Sequence, residues 1–256
     1  MKHIVALVIL LGCSCLCVGQ STYPAPGSAG TARVAYCTPP TLTSRWYTWY
    51  QGNNCASATA ACTDGQNLWT IKDTIGGNTS SHTGGVAPFS ANQINALGAW
   101  NNNPSIGSFI LGTSVPTSAT AQSWYFVGAP TMAGFTNNLI GGSSGGALRW
   151  YILSSGKQVV AGSAGTVTGS ATLTSGAWTA LYFTYSSGTV QLYKCSAGTC
   201  SADGSSGTVT APTLATGLLF SGNGGGYIGI VAEIGYYAGT SISGIGSYLH
   251  CQYPTI

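Results

Sequence analysis

The chain has 256 residues, of which 44% are hydrophobic and only 4% are charged, and its formal net charge is +3. Soluble domains usually carry about 25% charged residues, so hydroxyls and amides must supply most of the polar surface here. The hydrophobic fraction is sufficient for a core and argues against charge-driven disorder. The few, dispersed cations argue against nucleic-acid binding.

The N-terminus, residues 1–19, has the pattern of a secretory signal. A basic start, Met1-Lys2-His3, precedes an apolar run over residues 4–11, and Gly19-Gln20 is a suitable cleavage point. We therefore expect a secreted or surface-displayed protein. The alternative is a lipid anchor at Cys13, because Leu10-Leu11-Gly12-Cys13 loosely resembles a bacterial lipobox. The apolar run is too short for a permanent membrane span, and none is expected in the mature chain.

Residues 20–35 form a leader rich in Pro, Gly, Ser and Ala, which we expect to be flexible or extended. Turn residues then recur at short intervals over residues 36–256, as they do between antiparallel strands. No repeat or change of composition marks a boundary, so we predict a single domain.

Apolar runs in the second half of this domain predict strands, and helix signals are scarce. Ser186-Ser187-Gly188 separates two of the runs and suits a hairpin. Residues 241–248 have the spacing of a short terminal helix. The predicted strands cover residues 148–153, 158–161, 178–185, 189–193 and 227–237.

The chain has nine cysteines, three of them within the signal. The even number that remains in an exported chain predicts disulfides, and fifteen pairings of six cysteines are possible. Cys55–Cys62 and Cys195–Cys200 would each close a small loop, which leaves Cys37 and Cys251. A zinc site is disfavoured, because no Cys-x-x-Cys occurs and no histidine has ligand spacing.

Several short motifs follow one another in an order that resembles a known family. A Trp strand, a Gly turn and a strand with Tyr lie in residues 178–193, and Gly224-Gly225-Gly226-Tyr227 precedes Val231-Ala232-Glu233-Ile234 and the terminal helix. Upstream, residues 68–73 lead to Gly76-Gly77-Asn78. In this order the motifs resemble the concanavalin A-like, laminin-G-like jelly-roll superfamily of lectins and glucanases.

The resemblance implies an all-β fold, a two-sheet antiparallel jelly-roll sandwich with at most a short C-terminal helix. The first and last strands of such sandwiches often lie together. The resemblance therefore implies a Cys37–Cys251 bond that clamps the two ends of the domain.

Carboxylates are few, which bears on catalysis. Glycosidases of this superfamily normally use two carboxylates that flank one bond, and their strand pattern of two Glu and one Asp is absent. We expect Glu233 to be structural, bonded to nearby backbone, and Asp73 to hold the backbone amides around Gly76-Gly77. Asp64 and Asp203 are expected in turns. We name no catalytic residue and regard an enzyme as less favoured than a binding module.

Calcium is common among the lectins and laminin-G domains that the chain resembles. This ion takes six to eight oxygen ligands, with carboxylates prominent. Asp73 with Asn78 is the only weak candidate that the sequence offers. We therefore predict no cofactor and no metal site.

Aromatic residues in turn-rich stretches are candidates for ligand contact, because aromatic faces stack on sugar rings and amides bind hydroxyls. We select Trp46, Trp49 and Tyr50, near Asn53-Asn54, and Trp100 with Asn101. The alternative for each aromatic residue is a place in the core.

The favoured function is a non-catalytic binding module for neutral carbohydrate. A self-assembling coat, filament or virion-decoration subunit is the first alternative, since few charges would need desolvation in self-packing. A glycoside hydrolase of the same fold is the second. The expected partner is thus a neutral glycan or another copy of the chain, and not nucleic acid.

Overall fold

The computed structural model describes parts of residues 37–256, and residues 1–36 lie outside it. For Trp69, Trp100 and Asn101, among other strand residues, it describes the backbone alone. The described ranges are 37–47, 54–55, 62–76, 79–83, 89–94, 97–102, 108–110, 120–132, 134, 136–142, 148–210, 217–219, 221–222 and 225–256.

These residues form antiparallel strands and one helix. The strands are β1 (Ser44–Tyr47), β2 (Asn54–Cys55), β3 (Leu68–Lys72), β4 (Thr79–Thr83), β5 (Phe89–Ile94), β6 (Leu97–Asn102), β7 (Ser108–Ile110), β8 (Ala121–Pro130), β9 (Asn137–Gly142), β10 (Arg149–Ile152), β11 (Gln158–Ala161), β12 (Thr166–Thr168), β13 (Thr179–Ser186), β14 (Thr189–Ser196), β15 (Thr199–Ala202), β16 (Gly207–Thr208), β17 (Gly217–Leu219), β18 (Ser221–Gly222), β19 (Gly225–Gly226) and β20 (Gly229–Tyr237). The helix is α1 (Ile245–Gln252).

Two sheets account for nearly all of the described strands. Sheet A has the order β15-β14-β13-β8-β20-β6-β5, with β1 also paired to β20 and β16 to β14. Sheet B has the order β12-β11-β10-β9-β17-β7-β4-β3-β2. Strands distant in sequence are neighbours in both sheets. The predicted all-β, two-sheet antiparallel sandwich with one short terminal helix is confirmed.

The core lies between the sheets and is built from alternate strand residues. In β13, Leu181, Phe183 and Tyr185 belong to the core cluster, whereas Tyr182 points to the opposite face of the sheet, as strand alternation requires. Phe183 packs edge to face on Trp150 of sheet B, with ring centroids 5.0 Å apart. Aromatic side chains thus contribute much of the apolar area that holds the sheets together.

The predicted hairpin forms, but its turn is tighter than expected. β13 extends to Ser186 and β14 begins at Thr189, so the turn consists of Ser187 and Gly188. Both residues have positive φ, 46° and 92°, which is the conformation that two-residue hairpin turns favour because it matches the twist of the strands.

The terminal helix begins later than residues 241–248 predicted. Gly244 precedes the helix with φ of 71°, a left-handed conformation that interrupts a helical run. The helix packs on the face of sheet A opposite to the core, where it contacts β14 and β15. Ile242, just before it, donates its N–H to the Tyr182 hydroxyl at 2.9 Å.

Disulfides fix both the ends of the domain and one hairpin. Cys37 is bonded to Cys251, 214 residues away, and Cys195 is bonded to Cys200 across the β14–β15 hairpin. Cys62 is also disulfide-bonded. The side chain of Cys55, its predicted partner, lies outside the described residues.

The two described disulfides should differ in their contributions to stability. In the chain-entropy account, the loop of 214 residues corresponds to about 5 kcal/mol, and a five-residue loop to about 2 kcal/mol. We therefore expect Cys37→Ser/Cys251→Ser to lower the free energy of unfolding more than Cys195→Ser/Cys200→Ser does. Denaturant titration of both double variants checks this, and equal losses would contradict it.

Candidate functional site

Trp46 is a core residue, and its selection as a ligand contact was wrong. Its side chain is 0% exposed and stacks against Trp124 with ring centroids 6.4 Å apart and planes 8° apart. The physical reason is that residues 44–47 form β1, paired with β20, so that Trp46 enters the space between the sheets.

The other selected contacts remain predictions. Trp49 and Tyr50 lie outside the described residues. Trp100 and Asn101 belong to β6, where their backbones pair with Val231 and Ile230 of β20. Their side chains lie outside the described part of the structure.

Glu233 sits at the centre of a buried polar cluster on the side of sheet A that α1 covers. The carboxylate is 0% exposed and binds the Arg45 Nε at 2.6 Å. Three tyrosine hydroxyls donate to the same carboxylate, from Tyr125, Tyr248 at 2.7 and 2.9 Å and Tyr253 at 2.6 Å. The expected structural role of Glu233 fits this geometry, but its partners are side chains, and the expected backbone partners were wrong.

The cluster connects elements that are far apart in the sequence. Arg45 lies on β1, Tyr125 on β8 and Glu233 on β20, while Tyr248 belongs to α1 and Tyr253 follows it. Arg45 also donates a guanidinium N–H to the Tyr248 hydroxyl, and its guanidinium carbon lies 4.3 Å from the centroid of the Tyr47 ring. The charge pair therefore ties the helix to the sheet.

Burial and charge shift the titration of this cluster. Burial raises the pKa of the Tyr125, Tyr248 and Tyr253 hydroxyls well above their usual value, and the nearby Glu233 carboxylate raises each further. Burial is the largest single influence on Arg45 and would lower its pKa, but the Glu233 carboxylate together with Tyr248 and Tyr125 outweighs it. The net result is a pKa well above the ordinary value. The guanidinium is thus charged and the phenols are neutral at ordinary pH.

Asp73 holds a turn, as the sequence predicted. Its Oδ1 accepts N–H groups from Ile75 and Gly76, at 3.0 and 2.9 Å, and a third from Arg45 at 2.9 Å. Asn78, the other residue of the weak calcium candidate, lies outside the described residues. Among the residues that the structure describes, no group of three His, Cys, Asp or Glu side chains is arranged to hold a metal ion.

Asp203 is buried at 3% exposure, which its place in a predicted turn did not indicate. It accepts hydrogen bonds from Gln158 Nε2 at 2.7 Å, Ser170 Oγ at 3.1 Å and Ala171 N at 2.6 Å. Gln158 also accepts the Trp150 indole N–H at 3.3 Å. The Asp203 carboxylate thus links β11, which lies next to the edge strand of sheet B, to the segment that follows β12.

Sequence reasoning missed the polar partners of the buried carboxylates. Among them are Arg45, which neutralises Glu233, and Gln158, which donates to Asp203. For Arg45 a signal existed, since it is a cation next to Trp46 and Tyr47 in a chain with few charges. For Gln158 the sequence offers no such signal, because Asn and Gln are abundant in this chain and nothing distinguishes this one from the others.

A cleft lies beside the cluster, between the start of the described chain and α1. Its volume is about 280 Å³. Among the described residues, no side chain that lines it carries a formal charge. The lining residues are Cys37, Thr38, Pro40, Ser243, Gly244, Ser247, Tyr248 and Cys251.

Comparisons with known proteins identify the fold. No family model matches the sequence, and no curated protein matches it. In structure the chain is similar to domain 4 of AbnA, a GH43 extracellular arabinanase from Geobacillus stearothermophilus solved with arabinotriose, with a TM-score of 0.55 and 16% identity over 82% of this chain and 99% of that domain.

Two further similarities extend over parts of larger chains. An arabinofuranosidase complexed with arabinofuranosyl-alpha-1,2-xylobiose has a TM-score of 0.57 and 13% identity, over 85% of this chain and 60% of that one. The binding domain of botulinum neurotoxin serotype G has a TM-score of 0.53 and 12% identity, over 81% and 50%. The structural neighbours thus include domains of glycoside hydrolases and a toxin binding domain.

Within the described residues, no helix combines the length and the apolar character that crossing a membrane requires.

The buried charge pair gives a stability prediction. Removal of one member of a buried pair typically costs about 3–5 kcal/mol, because the other charge is left uncompensated. We expect Arg45→Met to lower the free energy of unfolding by this amount, and Arg45→Met/Glu233→Gln to recover part of it. Lys194→Met, at an exposed cation, is the matched control for denaturant titration. An Arg45→Met variant as stable as this control would contradict the prediction.

The buried phenols predict alkaline sensitivity. Their folded-state pKa values lie above the unfolded value of about 10, so the folded chain keeps protons that the unfolded chain releases. The resulting stability is present below about pH 10 and is lost as pH rises through the folded pKa values. Tyr253→Phe should therefore show a shallower alkaline decline than the unmodified protein. The unfolding midpoint measured in steps from neutral to strongly alkaline pH checks this, and parallel curves would argue against it.

Proposed function

We propose that this chain is a secreted, non-catalytic binding module for neutral carbohydrate, with a sandwich of the concanavalin A-like, laminin-G-like type. The observation that carries the proposal is that most carboxylates are buried and hydrogen-bonded within the fold. That fold is similar to domains of carbohydrate-active proteins. Three of the four carboxylates in the chain, Asp73, Asp203 and Glu233, are at most 4% exposed. Each of the three is engaged by hydrogen bonds inside the fold.

This arrangement favours binding over hydrolysis. A two-carboxylate glycosidase needs both groups at the scissile bond, about 5–9 Å apart. Asp64 is the exposed carboxylate of the chain, and it cannot supply such a pair alone. The fourfold coordination of Glu233 also leaves no room at that carboxylate for a substrate oxygen.

The distribution of cations supports a neutral ligand. Arg45 is committed to Glu233. Arg149 lies on β10 of sheet B and Lys194 on β14 of sheet A, while Lys157 donates to the Ser170 carbonyl oxygen at 2.7 Å. Recognition of phosphate or sulfate would need such charges gathered at one place.

Secretion is supported by the disulfides, which form and persist in oxidising compartments, and by the signal pattern of residues 1–19. The similar arabinanase domain comes from a protein described as extracellular. Arabinose-containing oligosaccharides are therefore the first ligands to test.

The test is an array of neutral arabinan, xylan, glucan, galactan and mannan oligosaccharides, probed with the mature chain from Gln20 onward. We expect binding to at least one neutral oligosaccharide without release of reducing sugar. A lack of binding together with large assemblies in light scattering would favour the coat or filament alternative instead. Release of reducing sugar that Glu233→Gln abolishes without a change in melting temperature would favour the hydrolase.

Binding should also tolerate salt. Neutral hydrogen bonds and stacking are little affected by ionic screening, whereas several contacts to phosphate lose orders of magnitude in affinity over the same range. We expect less than a tenfold change in affinity for the best oligosaccharide between about 50 and about 500 mM NaCl, a range that spans the screening of surface charges. A loss of tenfold or more, which corresponds to about 1.4 kcal/mol, would point to an anionic ligand.

A further inference from the structure

The cleft between residues 37–40 and α1 has the properties of a sugar subsite. Its volume of about 280 Å³ is just below the roughly 300–1,000 Å³ of pockets that enclose drug-sized ligands. That size suits one ring better than a chain of rings. Because the described residues of its lining carry no formal charge, the ring it suits is a neutral one.

Three exposed residues with hydroxyl side chains line this cleft, Thr38, Ser243 and Ser247. None of the three makes a side-chain hydrogen bond within the described residues. A Ser or Thr hydroxyl both donates and accepts, and so does each hydroxyl of a sugar. The three groups can therefore pair with neighbouring sugar hydroxyls without leaving an ionic group unbalanced.

The remaining walls provide apolar surface for the carbon face of a ring. Pro40, the Cys37–Cys251 disulfide and Tyr248 are the lining groups that contribute this apolar surface. Pockets that bind small ligands combine such apolar walls with a few polar groups that fix orientation.

The walls are held in place before any ligand arrives. The disulfide joins the two sides covalently, and Cys37 donates its N–H to Gln252 Oε1 at 3.2 Å. Tyr248 is only 4% exposed and is fixed through its hydroxyl to Glu233 at 2.7 Å. Preorganisation of this kind reduces the entropy lost on binding.

We infer that this cleft binds a single neutral sugar ring of the glycan, through the hydroxyls of Thr38, Ser243 and Ser247. The inference rests on the proposed function and assigns it a place on the surface. It differs from the contacts predicted from the sequence, because the described lining residues include none of them.

The experiment compares two cleft variants with matched controls on the same neutral oligosaccharide array. Ser243→Ala/Ser247→Ala removes two of the hydroxyls, and Ser247→Phe fills the space. The controls, Ser154→Ala/Ser155→Ala and Ser155→Phe, change exposed serines in the turn between β10 and β11. Melting temperatures are measured for all four variants, so that a loss of fold is recognised.

For the double alanine variant we expect at least a tenfold loss of affinity for every oligosaccharide that the unmodified chain binds, which corresponds to about 1.4 kcal/mol. Ser247→Phe should abolish binding, and both controls should bind as the unmodified chain does. If the unmodified chain binds and the two cleft variants bind equally well, the cleft assignment is wrong while the proposed function stands. If the unmodified chain binds nothing, both fail.

Two further outcomes are decisive. Binding restricted to uronic-acid oligosaccharides, added to the same array, would overturn the assignment of a neutral ring. A cleft variant that keeps its melting temperature but melts no higher when the bound oligosaccharide is added, while its control does, would support the assignment independently of the array.

Discussion

The contact between Arg45 and Glu233 is the interaction on which the arrangement of the C-terminal helix depends. Burying two opposite charges costs several kcal/mol for each ion, and the Coulomb attraction offsets this only when the remaining polar atoms are also bonded. Here tyrosines from β8, α1 and the segment after it complete the coordination of the carboxylate. These directional hydrogen bonds fix the position of the helix on sheet A. An apolar contact alone would allow the helix to slide along the sheet.

This use of a carboxylate also shapes what the molecule can do. Three of the four acidic residues have structural roles. Glu233 holds the helix, Asp73 holds a turn, and Asp203 joins β11 to the segment after β12. Asp64 is the acidic side chain that lies exposed, and hydroxyls and amides supply most of the polar groups of the chain. This use of the carboxylates supports the proposed recognition of a neutral ligand through uncharged hydrogen bonds.

Much of the fold can be predicted from the local sequence pattern, whereas the candidate site cannot. The β13–β14 hairpin was predictable because alternating residues and a Gly turn act over a few positions. The place of Trp46 was not, because its burial depends on the pairing of β1 with β20, which are separated by most of the chain. The predicted start of α1 was four residues too early. The apolar spacing typical of a helix continues across Gly244, but the left-handed backbone of Gly244 interrupts the helical run there. The cleft escaped prediction since its walls come from the two ends of the domain, and nothing local in either segment marks it.

The bond between Cys37 and Cys251 has a mechanical consequence. It places the entry and the exit of the sandwich 5.9 Å apart, measured between the two Cα atoms. A pulling force applied to the chain before Cys37 and after Cys251 is therefore transmitted through a covalent link, and the hydrogen bonds between the strands carry none of it.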